Sequence, residues 1–308
     1  MSLLIVGTVA FDALETPFGK TDKILGGAAT YIGLSASYFT KKSNLVSVVG
    51  GDFPQENIDL LNKHNINTKG LQIKADGKTF FWSGKYHTDM NTRDSLVTEL
   101  NVLADFDPIV PDEYQDCEFL MLGNLVPTVQ MKVLNQLKTR PKLVVMDTMN
   151  FWMDVDMENL LKTIAKVDVL TINDSEARQL SGEYSLQKAA KKILAMGPNY
   201  LIIKKGEHGA LLFNKDQVFF APALPLEEVF DPTGAGDTFA GGFIGYLAET
   251  RDLSFENMKR AVIYGSAMAS FCVEKFGTER LIGLSREDVE TRIQQFVDLV
   301  QVDISLVY

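Results

Sequence analysis

Short apolar runs alternate with stretches of helical period along the first two-thirds of the chain. The runs are Leu3–Gly7, Leu45–Val49, Phe119–Leu122, Leu143–Met146, Val167–Leu170 and Tyr200–Ile203. Consecutive apolar positions of this kind predict strands buried on both faces, as in a parallel sheet. Between them, Leu186, Ala189, Ala190, Ile193 and Leu194 fall at i, i+3, i+4, i+7 and i+8, which predicts a helix with one apolar face. Strand alternating with helix predicts an α/β fold whose mainly parallel sheet has helices on both faces. Gly209–Phe213 and Gln217–Phe220 flank Asn214-Lys215-Asp216 and predict a hairpin that adds antiparallel strands at one edge. Only helices are expected after it, with Ser254 and Ser285 as N-caps and Asp288 completing a capping box with Ser285.

Two segments break this rhythm. From Gly77 to Glu99 no helical period is present, and Phe80, Trp82 and Tyr86 alternate onto one strand face. Phe11–Leu25 is similar. Two β excursions, 11–25 and 77–99, leaving one α/β body predict a small accessory sheet, placed as a lid over the carboxyl ends of the main strands. Its aromatic strand is suited to stacking on a base or a sugar face, to forming the lid's own core, or to a homodimer contact.

Composition narrows the partners. Of 308 residues, 46% are hydrophobic and 23% charged, which fits a globular chain and not a disordered or fibrous one. Thirty basic against forty acidic side chains leave a charge of -10, which disfavours nucleic acid and anionic lipid as partners. No apolar run has the length of a membrane span, and the N-terminus lacks a signal-peptide pattern, so the expectation is a cytoplasmic protein. Cys117 and Cys272 match no metal or redox spacing and read as buried thiols.

Two phosphate-binding motifs are excluded by spacing. Gly19-Lys20-Thr21 and Gly77-Lys78-Thr79 lack the upstream glycine of a P-loop, where Leu14 and Gln72 stand instead. Gly234-Ala235-Gly236 has Phe239 where a dinucleotide fingerprint needs its third glycine. What stands out is the segment from Asp231 through Pro232-Thr233-Gly234-Ala235-Gly236-Asp237 to Phe243. Its glycines let a ligand approach the backbone, and a small-residue helix begins at them, so free N–H groups and the helix dipole make an anion site. A carboxylate at Asp237 would repel such a ligand unless its task is to take a proton from the attacking hydroxyl. The same dipole is expected to keep Asp237 ionised.

This segment resembles the C-terminal signature of the ribokinase/PfkB family of carbohydrate and nucleoside kinases, and the resemblance extends over nearly the whole chain. Gly26-Gly27-Ala28-Ala29-Thr30-Tyr31 is similar to the family's N-terminal Gly-Gly substrate motif, Asn173-Asp174-Ser175-Glu176 to its Asn-x-x-Glu element, and Lys205-Gly206-Glu207-His208-Gly209 to its nucleotide-contacting turn. The resemblance implies a ribokinase-like three-layer kinase domain over residues 1–308 with the β lid inserted in it. It implies Asp237 as general base, with the backbone of Gly234, Ala235 and Gly236 as anion hole. Asp12, Gly26, Gly27 and Tyr31 would bind the acceptor. Asn173, Lys205, Gly206, Gly209, Thr233, Gly234 and Gly236 would bind ATP. Asn173 and Glu176 would hold Mg²⁺ through water. Asp231 and Thr233 match positions that hold a monovalent cation in several relatives, which adds K⁺ to the implied cofactors.

The implied activity is ATP-dependent, in-line phosphorylation of a hydroxyl on a small sugar. A nucleoside acceptor of adenosine, inosine/guanosine or cytidine type is the alternative, and a non-catalytic sugar or nucleoside sensor is the alternative of another class. Tyr31 departs from the family pattern, since many sugar-kinase relatives carry Asn there; it is expected to offer a ring to the acceptor. Asp147-Thr148-Met149-Asn150 resembles a sugar-kinase segment displaced by a residue, and Ser266 lies where relatives often carry Asn near the adenine.

Overall fold

The computed structural model describes residues 2–301. Fourteen strands, β1 to β14 in chain order, are found among them. Nine form the main sheet: β1 (Leu3–Val6), β5 (Ser43–Gly50), β6 (Ile66–Lys74), β9 (Phe119–Leu122), β10 (Leu143–Asp147), β11 (Val169–Asn173), β12 (Tyr200–Lys204), β13 (Ala210–Phe213) and β14 (Val218–Ala221). Their order is β14-β13-β12-β11-β10-β9-β1-β5-β6, with every pairing parallel except the two that attach the β13–β14 hairpin.

Each apolar run became a strand because helices cover both faces. Along β1, Leu3 and Ile5 enter one core while Leu4 and Val6 enter the other. The first core is closed by the helices Ala28–Ala36, Ala235–Thr250 and Phe255–Cys272, the second by Pro127–Gln136, Met157–Ile164, Asp174–Ser181 and Leu186–Leu194. The last of these buries Ala189, Ala190 and Ile193, as its period predicts. Ser254 and Ser285 both cap helices, and Ser285 and Asp288 form a reciprocal capping box.

The remaining strands, β2 (Ala10–Thr16), β3 (Gly19–Lys20), β4 (Ile24–Gly26), β7 (Phe81–Tyr86) and β8 (Arg93–Glu99), form the expected small sheet. Its central pairing, β2 with β7, is parallel; the others are antiparallel. Two details differ from the sequence reading. Strand β11 starts at Val169 and runs on to Asn173, because Asp168 is drawn into a buttress in which its carboxylate accepts from the Val144 N–H and from Arg140. Strand β6, which no apolar run announces, occupies the sheet edge, where a mixed polar pattern is tolerated. Among the described residues no helix is long and apolar enough to cross a membrane.

Candidate active site

The carboxyl ends of the parallel strands converge on one crevice, the place where open α/β sheets bind ligands. Each of three neighbouring strands ends its buried run with a polar residue there: Asp147 on β10, Asn173 on β11 and Lys204 on β12. Lys204 Nζ donates to Asp147 Oδ2 at 2.7 Å, with side chains 18% and 7% exposed. Burial opposes the charge on Lys204, but Asp147 and Glu176 outweigh it and hold the ammonium protonated.

Facing these strand ends is the N-terminus of the helix Ala235–Thr250. Gly234, at its N-cap, has φ 74°, a left-handed conformation that glycine adopts freely. The position is also closed to a side chain, since a Cβ there would lie 2.5 Å from the Tyr31 ring. A helix start leaves its first N–H groups without intrahelical acceptors. That of Ala235 turns to the Pro232 carbonyl at 3.2 Å, and a Cβ on Gly236 would lie 3.1 Å from Lys204 Nζ. The buried ammonium thus stands directly beside the glycine turn.

Asp237 is half-buried in the first turn of this helix. Its pKa is pushed up to about 7, chiefly by burial and then by Asp147, against the pull of Lys204 and Arg93. The helix dipole, expected to keep Asp237 ionised, thus works against desolvation and the charge of Asp147. Asp12, on β2, is 5% exposed and also pushed up to about 7, by burial and by Asp231, against the opposing effect of the Gly27 backbone amide. A side chain on Gly26 would run into the Asp12 carboxylate, which explains the glycine in the motif. Asp12 and Asp237 sense each other's charge.

Asn173 and Glu176 form a capping box: Asn173 Oδ1 accepts from the Glu176 N–H at 2.8 Å, and Glu176 Oε2 accepts from the Asn173 N–H at 2.7 Å. Burial raises the Glu176 pKa to about 7, with Lys204 opposing and Asp147 adding to the rise. Asp231 is fully buried, and its carboxylate accepts from the N–H groups of Thr233 (2.9 Å) and Gly277 (2.8 Å), so its visible task is to shape the loop before Gly234. Thr233 donates its hydroxyl to Tyr86 of β7 at 3.1 Å.

Tyr31 is placed in a way the sequence did not predict. Tyr31 is 1% exposed, and its hydroxyl is buried without a hydrogen-bond partner. It does not present a ring to the crevice, because every residue of the helix Ala28–Ala36 is buried between the sheet and the helix Ala235–Thr250. Trp82, half-buried on the lid strand β7, offers an aromatic ring instead. It is the register partner of Asp12 across the β2–β7 pairing, so the two side chains share one face. Its indole lies over Gly84, donates to Ser95 Oγ at 3.1 Å, and carries the Arg93 guanidinium 5.6 Å from the ring centre.

Beside the glycine turn opens a cavity of about 450 Å³. Lys204, Gly236 and Ala235 line one end, Gly206 and Gly209 one side, and Leu224, Pro225, Val229 and Phe239 an apolar wall; Ser266 also lines it. Lys205 lies outside this lining; its N–H closes the Gly206–Gly209 turn by donating to the Gly209 carbonyl at 2.8 Å. The ammonium that reaches the site is thus Lys204's, one residue earlier. Lys204, like Asp147, is legible as a polar residue that ends a buried parallel strand, although no family motif marks it. Arg93 carried no such signal and reaches the site only because β8 pairs with β7.

A glycine turn at a helix N-terminus, a carboxylate in its first turn and an adjoining cavity are an arrangement suited to phosphoryl transfer to a hydroxyl acceptor. Residues 9–282 match the pfkB family carbohydrate kinase model. The chain belongs to that family, the sugar and nucleoside kinases. It is 33% identical over 257 residues to a cytidine kinase of Thermococcus kodakarensis, an alignment covering 82% of this chain and 91% of that protein. It is 25% identical to a nucleoside kinase of Methanothermobacter thermautotrophicus, over 94% of both chains. The fold superposes on a putative ribokinase II from E. coli with TM-score 0.82 at 19% identity, over 96% of this chain and 99% of that one.

Proposed function

We propose that the chain phosphorylates a hydroxyl on the sugar of a nucleoside, with ATP as donor. The observation that carries the acceptor class is the pairing of Asp12 with Trp82 on one face of the lid: a carboxylate for vicinal ribose hydroxyls beside an indole for a base. The names of the two curated relatives support the same class. The acceptor favoured thus moves from a free sugar to a nucleoside, since the ring expected of Tyr31 is supplied by Trp82.

In this reading the acceptor hydroxyl lies between Asp12 and Asp237, and Asp237 takes its proton as the bond to phosphorus forms. The N–H groups of Gly234 and Gly236 and the ammonium of Lys204 receive the negative charge that develops on the transferring group. Asn173 and Glu176 fit Mg²⁺ held through water: Glu176 keeps Oε1 outside the capping box, and its raised pKa marks a buried carboxylate that a cation would stabilise. Bound with ATP, Mg²⁺ neutralises phosphate charge. Among the described residues no group of three or more His, Cys, Asp or Glu is placed for direct ligation, and water and ATP would supply the ion's other ligands. The K⁺ role assigned to Asp231 and Thr233 remains part of the proposal and rests on the resemblance alone. Homodimerisation through the lid is supported by Leu96 and Val97, both exposed on the outer strand β8.

The test is ADP release with cytidine, adenosine, inosine, guanosine, ribose, fructose and inositol, each run with wild type and Trp82→Ala. Turnover of a nucleoside that falls at least tenfold in kcat/KM with Trp82→Ala is expected. Turnover of a free sugar alone, unaffected by the change, contradicts the acceptor assignment.

A further inference from the structure

The β7–β8 hairpin ends in a tightly organised tip. The His87 N–H donates to the Thr92 carbonyl at 2.9 Å. The Asp89 carboxylate accepts from the N–H groups of Asn91 (3.0 Å) and Thr92 (2.8 Å) and from the Thr92 hydroxyl (2.6 Å). Asn91 Nδ2 donates to the Asp89 carbonyl at 3.1 Å, and Met90 is held at φ 53°. Asp89 thus spends its carboxylate inside the turn, and Thr92 with its neighbours holds its pKa down.

The tip lies far along the hairpin from Asp12 and Trp82. Asp89, Met90 and Asn91 line the cavity of about 450 Å³ together with Gly206, Lys204 and Gly236. Asn91 Oδ1 comes so close to the Gly206 turn that a Cβ on Gly206 would lie 2.8 Å from it. Just before the tip the hairpin is held by Tyr86, 3% exposed, whose hydroxyl accepts from Thr233 beside the glycine turn. One hairpin therefore touches the acceptor face with its stem, the phosphate-transfer loop with Tyr86, and the donor cavity with its tip.

We infer that Met90 and Asn91 are part of the nucleotide site, so that the hairpin covering the acceptor also closes over the donor. The inference rests on reading the cavity as the ATP site. The chemistry suits a nucleotide at this point. The thioether of Met90 is an adaptable apolar cover for a ribose or base face, and the Asn91 amide is a neutral polar group next to the Gly206–Gly209 turn. Arg93, the residue after Thr92, adds positive charge on the same hairpin.

The experiment is calorimetric titration of ADP with Mg²⁺ into the full chain, for wild type, Asn91→Ala, Asn91→Asp and Met90→Gly. Met90→Gly removes the side chain while suiting the positive φ, and all three changes lie on an exposed turn, so equal melting temperatures identify folded variants. Loss of one such contact is expected to weaken ADP about five-fold in Asn91→Ala and Met90→Gly. Asn91→Asp is expected to weaken it further, because a carboxylate then faces the polyphosphate. ADP affinity within about two-fold of wild type in all three folded variants overturns the inference. Failure of wild type to bind ADP overturns the ATP-site reading, and the inference with it.

Discussion

Tyr31 shows how a residue's neighbours decide its role. Its ring supports Gly234 from below, while its hydroxyl is buried without a partner. Burial, with Asp12 next in effect, drives its pKa up, so the phenol stays protonated. A buried hydroxyl left unpaired costs free energy that phenylalanine does not. Tyr31→Phe is therefore expected to unfold at the same or a higher denaturant concentration, gaining up to about 1 kcal/mol, with acceptor KM unchanged. A large rise in acceptor KM would show that the hydroxyl reaches the substrate after all. The sequence displayed Tyr31 as a departure from the family motif but not its orientation, because helix-facing direction is set by the packing of two helices distant along the chain. Asp12 and Asp237 are both found at the crevice; the elevation of their pKa values was not legible, since it arises from burial and from carboxylates on three other elements.

Among the elements, the parallel strands were readable because burial on both faces leaves an uninterrupted apolar run, and β6 was not, because an edge strand has no such requirement. The small sheet was visible as two stretches without a helical period, but its register was not. That register places Trp82 opposite Asp12 and Arg93 opposite Tyr86. The Tyr86 hydroxyl accepts from Thr233, and the Arg93 guanidinium lies near enough to pull its pKa down against burial, so one side chain links β8 and the Thr233 loop. Tyr86→Phe removes the bond to Thr233 and the polar neighbour of Arg93 and keeps the ring. A loss of about 1–2 kcal/mol is expected, read as a roughly five- to thirty-fold fall in kcat/KM for the acceptor at unchanged melting temperature. A change below two-fold would mean that the hairpin closes over the site without this tie.

For the whole molecule, the central fact is a concentration of acid at one end of the sheet. Asp12, Asp147, Glu176, Asp231 and Asp237 converge there against Lys204 and Arg93, in a chain whose net charge is already -10. Such a site raises the pKa of Asp12, Glu176, Asp231 and Asp237, and it holds Asp237 near the pKa at which a base both ionises and accepts a proton well. The sign of the pH dependence follows. Below pH 7 Asp237 and Asp12 carry protons, so activity rises as pH increases through about 7.

The most direct test is the pH profile of kcat/KM for the acceptor, measured by ADP release for wild type and Asp237→Asn between pH 5 and about 9, alongside ADP binding to each. Wild type is expected to show an acid limb with its midpoint near 7 and a slope above one, as both carboxylates ionise. Asp237→Asn keeps the side-chain volume and is expected to bind ADP as wild type does, to lose about 10²- to 10⁴-fold in kcat, and to show a shallower acid limb, set by Asp12 and Glu176. A folded, ADP-binding Asp237→Asn variant with near wild-type kcat and an unchanged profile would contradict the assignment of Asp237 as the base.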